Sequence, residues 1–386
     1  MNKKLMAVAV AGALAAPALA LAQASTVQIY GYINGEYGFA KGVQKAAGKT
    51  NTWDGLNSPG SFIGFRGEEK LGGGMAAFFQ CENDIGFMKG DSVNLNDGGV
   101  TVTGNAATQG GWCSRNSALG LKGGFGSFYV GSWDSPTKRT VGAARILGET
   151  GWLGVQGYLI SNGGGFTGTF SARNANSINY DSPKFGGFSF SAQTTSTKSA
   201  STVTTAGLKG RSNSMSLNYA AGPMTLAAAY TAQDDNRTAS TINTTKDRAI
   251  VLAGTYTIGA ARIGLVYVDA EAQRTLLEER SRKSWNIAGT YGLGGPHSVV
   301  AGYTLAGDTK TTLAIPAAGT GTNTGAKQYT IGYRNALSKR TGAGLYYLRA
   351  KNDSRATGYS VGSNHATGLV AGSSSSVVVM QLTHTF

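Results

Sequence analysis

Three histidines, His297, His365 and His384, and two cysteines, Cys81 and Cys113, are nearly all that this 386-residue chain offers for nucleophilic, acid–base or metal chemistry. The histidines fall beside a turn, in the last long loop and in the final strand, and no zinc-ligand spacing joins them. An enzyme needs a poised nucleophile, an acid–base pair or a metal site, and none is visible, so neither catalysis nor a cofactor is expected. "GLGG" and "SNGGGF" lack the strand and helix that frame a phosphate-binding loop, and read as turns. What remains is charge. Lys and Arg number 34 against 20 Asp and Glu, but they are dispersed, with no basic run or recognition motif, so nucleic acid is not an expected partner. Cys81 and Cys113 flank a long loop and in an oxidising compartment would bridge, which is worth on the order of 3–4 kcal/mol in the chain-entropy account. Two separate thiols on opposite faces are the alternative, because the side taken by Cys113 is open.

The elements that must position these charges are strands. "MNKKLMAVAVAGALAAPALALAQAS" has a basic start, an apolar stretch and a small-x-small site at Ala22 and Ala24, the layout of a secretory leader cut after Ala24 rather than of a membrane anchor. Residues 1–24 then form the signal peptide and 25–386 the working domain, with 32 basic against 20 acidic residues, a balance of +12. Beyond the leader there is no apolar run of 18 residues and no sustained 3.6-residue period. The period is two. In "TVQIYGYINGEYGFA" the odd positions from Val27 to Phe39 are apolar or glycine, while Gln28, Tyr30, Tyr32, Asn34 and Glu36 take the other face. "SMSLNY", "SWNIAGTYGL" and "QYTIGYR" repeat the pattern, with Arg334 on the polar side of the last.

Seven short turns, such as "KLGGG", "TIGAA" and "LSKRT", alternate with long polar loops that include 41–60, 89–111, 134–172 and 308–327. That count predicts about sixteen antiparallel strands. The chain closes on "SSSSVVVMQLTHTF", whose alternating side chains run to Phe386. In hydrocarbon every backbone N–H and C=O needs a partner, so the last strand is expected to pair with the first, leaving no edge. The predicted fold class is therefore all-β, a closed antiparallel transmembrane β-barrel. A soluble periplasmic sandwich or lectin would also use short alternating strands, but its narrow interior has little room for 17 Tyr and 14 Phe.

The stretches "VQIYGYINGEYG", "SFIGFRGEEKLGGGMAAFFQCENDIGF", "SRNSALGLKGGFGSFYVGSWDSP", "RNANSINYDSPKFGGFSFSAQ", "ALSKRTGAGLYY" and the terminal "HTF" cover nearly the whole mature chain. Together they resemble the general diffusion porins of Gram-negative bacteria, most closely the beta-proteobacterial branch. The resemblance implies a sixteen-stranded barrel in the outer membrane, three copies associating as a homotrimer, and an external loop folded into each lumen as an inner constriction loop. It also implies outer-membrane lipid and lipopolysaccharide around the barrel, small hydrophilic solutes within it, and recognition of the C-terminal strand with Phe386 by the barrel-assembly machinery.

In such porins basic side chains on the wall face acidic groups on the inner loop. Arg173, opening "RNANSINY", matches one wall arginine, and its odd parity opposes the outward Ile178 and Tyr180; Arg115 in "CSRNSALGL" matches a second. Arg66 is inward if Ile63 and Phe65 are outward, but lies near a short turn, and Phe62 stands where the family often has another arginine. The matching inner loop is 134–172. Between Ser135 and Ala172 its only acid is Glu149, against Lys138, Arg139 and Arg145, so both sides of the constriction are expected to lean cationic. Charges at a constriction decide selectivity, whereas those in a wide mouth are screened over roughly 8–10 Å. The predicted function is passive diffusion of small hydrophilic solutes with a preference for anions. A porin selective for phosphate or small organic acids is the alternative, and a plugged structural barrel or adhesin is a third. The clusters Asp234–Asp235 and Glu278, Glu279, Arg280 are expected in external loops.

Overall fold

The computed structural model describes residues 27–44, 48–88, 112–159, 170–195, 210–234, 246–273, 278–314, 320–356, 358–361 and 370–386. The leader, Asp235 and His365 lie outside them. The described strands in chain order are β1 (Gln28–Gln44), β2 (Lys49–Asn57), β3 (Phe62–Gly72), β4 (Met75–Asp84), β5 (Ser117–Gly123), β6 (Gly126–Asp134), β7 (Arg173–Asp181), β8 (Phe188–Thr195) and β9 (Arg211–Ala221). They continue with β10 (Met224–Asp234), β11 (Lys246–Ile258), β12 (Ala261–Gln273), β13 (Glu279–Gly294), β14 (His297–Ala306), β15 (Lys310–Thr311), β16 (Ala326–Ala336), β17 (Thr341–Asn352) and β18 (Ser374–Thr385). Two helices, α1 (Pro136–Ala144) and α2 (Gln156–Leu159), fall between β6 and β7.

These eighteen segments make sixteen staves, and every neighbouring pair is antiparallel. β2 pairs with Glu36–Gln44 and β3 with Gln28–Tyr32, so the two share one side of β1 as a single interrupted stave. In the same way β14 and the two-residue β15 share one side of β13. Two segments expected as loops thus carry strand: β1 and β2 extend the first hairpin through most of 41–60, and β15 lies inside 308–327.

The ring closes where the terminus requires it. β1 and β18 pair from Tyr32 opposite Thr385 to Val43 opposite Ser374. Beyond them the Gly31 N–H donates to the Phe386 carbonyl at 3.1 Å, and the Phe386 N–H returns a bond to Gly31 at 3.2 Å. The Phe386 ring covers Gly31: a Cβ there would lie 2.4 Å from a ring carbon, closer than van der Waals contact permits. Gly31→Val should therefore displace the closing aromatic. The expected result is a lower yield of folded barrel and, in a gel assay of heated samples, unfolding at a lower temperature, with the rest of β1 able to carry a side chain at Ile33 or Phe39.

Side-chain parity follows the sequence pattern. Leu382, Ile331, Leu265 and Leu119 are about half exposed on the outside, as lipid-facing residues are in an isolated chain, whereas Asn34, Ser214, Asn286 and Gln328 are buried within. The end carrying both termini and the short turns is the periplasmic end, and the long loops lie at the other. No helix among the described residues is long and apolar enough to cross a membrane.

Glu278 and Arg280 do not hydrate an external loop as expected. They are buried, 8% and 3% exposed, and paired at 2.5 Å at the start of β13. Even positions of β13 face inward, so the strand reaches higher than its charged sequence suggests. Asp234 ends β10 and stands in register with Arg211 of β9 and Lys246 of β11.

Candidate functional site: a loop across the lumen

The connection from β6 to β7 turns inward, and local chemistry sets its first element. Ser135 caps α1, its hydroxyl accepting from the Lys138 N–H at 3.2 Å, and Pro136 follows at the first helical turn, where a missing N–H costs nothing. α1 then leans on the inner wall of β9 to β12. Thr137 bonds to Ser214 and, at 2.5 Å, to Thr231, while Val141 and Ala144 bury against a patch containing Val251 and Val266. β11 and β12 are apolar on both faces there, Ala249, Val251 and Ala253 inside and Ile250 and Leu252 outside. A wall facing open water would alternate; this one does not because the helix covers it.

Past α1 the chain crosses to the opposite wall, and inward glycines receive it. A Cβ on Gly264 would meet the Ala144 carbonyl at 2.2 Å, one on Gly302 would meet Leu147 at 2.7 Å, and one on Gly38 would meet the Trp152 indole at 2.4 Å. Trp152 is 2% exposed. Its backbone N–H donates to Glu36 at 2.7 Å, and its indole N–H to the Gly55 carbonyl at 3.2 Å. The turn also seals Glu36, 1% exposed, away from the lumen. α2 follows, where the Tyr158 hydroxyl donates to the Ser360 carbonyl at 3.0 Å and its ring lies 5.1 Å from that of Tyr359. Tyr359 in turn accepts from Arg282 at 2.8 Å.

The charges named from sequence come together, but not as two cationic walls. Lys138 and Arg145 both reach Glu149, at 3.2 and 2.7 Å. Lys138 and Arg173 both reach Asp134, at 3.5 and 3.0 Å. Arg139 pairs with Asp181 at 3.0 Å, and Arg115 lies 2.7 Å from Asp84 and 3.9 Å from Glu82. Five cations thus meet five carboxylates. Counting acids only inside the loop gives a positive sign; the wall supplies the compensation through Glu82, Asp84 and Asp181, and Asp134 supplies it at the loop's root. Arg115 also stacks over Phe62 at 5.1 Å, so the residue that departs from the family pattern carries a neighbouring guanidinium.

Two positional expectations need revision or refinement. Arg173 is not placed by simple alternation with Ile178 and Tyr180: the β6–β7 register shifts between Gly131 and Trp133, and Asn176 has φ +52°. This bulge breaks the parity, and Arg173 reaches Asp134 and Asn116 from the strand end. Arg66 donates to Gln28 at 2.9 Å and lies over Tyr30, near the periplasmic end and apart from the cluster.

Cys81 and Cys113 are joined, with Cα atoms 4.7 Å apart. His297 lies 2.5 Å from the Tyr333 hydroxyl and His384 3.0 Å from that of Thr341, and among the described residues no group of metal-ligating side chains forms.

Two arginines not singled out by sequence complete the site. Arg334 on β16 donates to the Ile146 carbonyl at 3.1 Å and to the Tyr346 hydroxyl at 2.9 Å. Arg262 on β12 approaches the Ala143 carbonyl at 3.5 Å. Both face the C-terminal end of α1, where the helix dipole favours positive charge, and neither has an ion-pair partner among the described residues. The signal was present for Arg334, on the polar parity of "QYTIGYR". Arg262 was hidden by the turn "TIGAA" beside it.

Neither Lys138 nor Glu149 lies in a spanning strand. Burial pulls the Lys138 ammonium down to about 8, against the opposing pull of Glu149. Burial alone would raise the Glu149 carboxyl, but Arg145 and then Lys138 override it and hold it at about 2. A carboxyl depressed in the folded state lends stability that is full above its unfolded value, near 4.3, and fades as pH falls toward the folded one. The loop should therefore stay docked at pH 4 and loosen near pH 2, which a pH series of single-channel conductance in planar bilayers would register as a rise confined to the lowest values.

A closed sixteen-stave barrel, apolar outside and polar within, with a loop pinned across its lumen, defines an outer-membrane channel former. The chain belongs to the Gram-negative porin family, whose profile matches residues 7–355. It is 28% identical to outer membrane porin protein 32 of Delftia acidovorans over the full length of both chains. It is 34% identical to major outer membrane protein P.IB of Neisseria gonorrhoeae over 212 residues, 54% of this chain and 52% of that one. Among solved structures it is similar to an anion-selective porin from Comamonas acidovorans, with TM-score 0.71, 25% identity and coverage of 94% of this chain and 100% of that one. OmpT of Vibrio cholerae in a trimer form, TM-score 0.63 and 16% identical over 94% of this chain and 100% of that one, shares the fold. The chain is a porin of the Gram-negative outer membrane, a channel rather than a member of an enzyme family.

Proposed function

We propose that the channel passes small hydrophilic solutes passively and prefers anions, with 134–172 as its constriction loop. The observation that carries this reading is the placement of Arg262 and Arg334: where five cations are cancelled by five carboxylates, these two guanidinium groups have no acid among the described residues and face the loop. Arg115, Lys138, Arg139, Arg145, Arg173 and Glu149 then act mainly as a clamp that shapes the constriction, and Arg66 tunes the periplasmic mouth. The anion selectivity stated for the Comamonas porin supports the sign. A reversal potential under a KCl gradient tests it, and saturable block by phosphate or a small organic acid would favour the solute-selective alternative.

Removal of residues 1–24, assembly as a homotrimer, recognition of the Phe386 strand by the assembly machinery and contact with lipopolysaccharide belong to the same proposal. At mid-height and below, the outer face of β1 and β18 suits a subunit contact. Ile33, Leu56, Met380 and Leu382 line an apolar groove there, and Met88 reaches Gly35 from the second loop.

A further inference from the structure

On the outer face, β9 to β13 carry charged side chains at their extracellular ends, and each cation is paired with an acid or stands directly opposite one. Asp234 stands between Arg211 and Lys246, Arg248 is paired with Glu271, and Lys283 lies 3.3 Å from Asp269. The strands from β16 round to β1 break this rule. Lys327 of β16 stands directly opposite Lys351 of β17, and Arg349, on the same face two residues below, pairs across the strands with Ser376. Ser376 in turn stands opposite Lys41 of β1. Four cations thus share one outward patch across four adjacent strands, about 14 Å wide at a strand spacing near 4.8 Å, and none has a carboxylate partner among the described residues. Like charges directly opposed on a sheet destabilise it. Among the described residues the arrangement therefore lacks its counter-charge.

Height identifies the counter-charge. From Gly31, beside Phe386, to Lys41 is ten residues, about 33 Å of strand and roughly 25 Å along the normal at a tilt of about 40°, the thickness of the apolar band. Just below, Tyr329 lies opposite Arg349, and a row of touching rings, Trp285, Tyr303 and Tyr329, with centroids 5.1 and 5.0 Å apart, marks the interface on the neighbouring strands. The patch sits on the lipid side, at the level of the outer-leaflet headgroups.

We infer that Lys41, Lys327, Arg349 and Lys351 form a binding site for the phosphorylated headgroup of an outer-leaflet lipid. This rests on the outer-membrane reading and adds the site and its chemistry. The guanidinium of Arg349 offers paired donors to phosphate oxygens, the three lysines supply point charges, and acyl chains would run down the face below Tyr329 and Tyr347.

The test titrates the purified protein in detergent with bisphosphorylated lipid A and with its dephosphorylated form, reading bound lipid by native mass spectrometry. At roughly fivefold per near-surface cation, K327Q/R349Q/K351Q should weaken binding of the phosphorylated lipid on the order of 100-fold, and R349Q/K351Q should retain the same direction. R248Q/K283Q, which removes two cations already paired, should change it little. Equal binding of both lipids by the native chain, no loss in the first two variants, or an equal loss in the third would overturn the site. Planar-bilayer conductance of the same preparations separates the two readings: conducting protein without selective lipid binding sinks only the site, whereas native protein that neither inserts nor conducts sinks the membrane reading.

Discussion

Replacing Trp152 with alanine should raise single-channel conductance and broaden its open-state noise while leaving the barrel folded. The indole fills a socket made by Gly38 and Gly55, is almost wholly buried, and contributes one of the hydrogen bonds that fasten the loop to the wall opposite its origin. Truncating a buried aromatic costs about 3–5 kcal/mol, and here the loss falls on a loop rather than on the sheet. The strands keep their ladder, so heat resistance should change far less than conductance. Gly38→Val approaches the same junction from the wall: its Cβ would stand where the indole ring now is, and it should reproduce the phenotype with Trp152 intact. If both variants conduct as the native protein does, the loop is not held by this socket.

The second large effect concerns charge. R262E/R334E should reverse the ion preference from anions to cations. Because each Glu also gives up the bond to the Ala143 or Ile146 carbonyl and opposes the C-terminal end of α1, R262Q/R334Q, which keeps an amide donor at each position, should abolish the preference with the loop still docked. A monovalent ion about 8 Å from each guanidinium feels roughly 0.5 kcal/mol from each in water. Screening over about 8–10 Å reduces this, leaving a several-fold preference that the double reversal turns over. Arg139→Glu, by contrast, breaks the pair with Asp181 and should disturb the loop as well as the field. Reversal potentials of these variants, measured beside their heat stability, distinguish a field-setting arginine from a clamping one.

The barrel was legible because its physics is periodic. Two-residue alternation, the short turns and a patterned strand running to Phe386 together require sixteen staves and a closed seam, and β1 and β18 meet accordingly. The interior was legible only in part. The sign of the loop's charge could be counted, but not its partners, since Asp181, which pairs with Arg139, lies some thirty residues after the loop's centre and comes to it only through the fold. Arg173 sits above a bulge that alternation cannot foresee. One clue was present in plain letters: "RAIVLAG" and "GLVYVDA" are apolar on both faces, and a stave of a water-filled barrel can be so only where something covers its inner side. α1 lies there.

Lipid-facing positions carry their own regularity. A bare Lys or Arg costs roughly 2–4 kcal/mol at the bilayer midplane and little near its edges, which is why outward cations such as Lys41, Lys283 and Lys351 cluster at the extracellular ends of their strands. Arg262 and Arg334, at the short-turn ends of β12 and β16, take the inward side, where water and the loop carbonyls of Ala143 and Ile146 solvate them.

The most direct measurement is the zero-current potential of the native channel in a planar bilayer separating tenfold different KCl concentrations. A water-filled passage in which Arg262 and Arg334 stand uncancelled beside the loop predicts steady conductance and a potential of the sign set by chloride outrunning potassium. A potassium-favouring sign would contradict the assignment of those arginines, and an absence of conductance would contradict the passage itself.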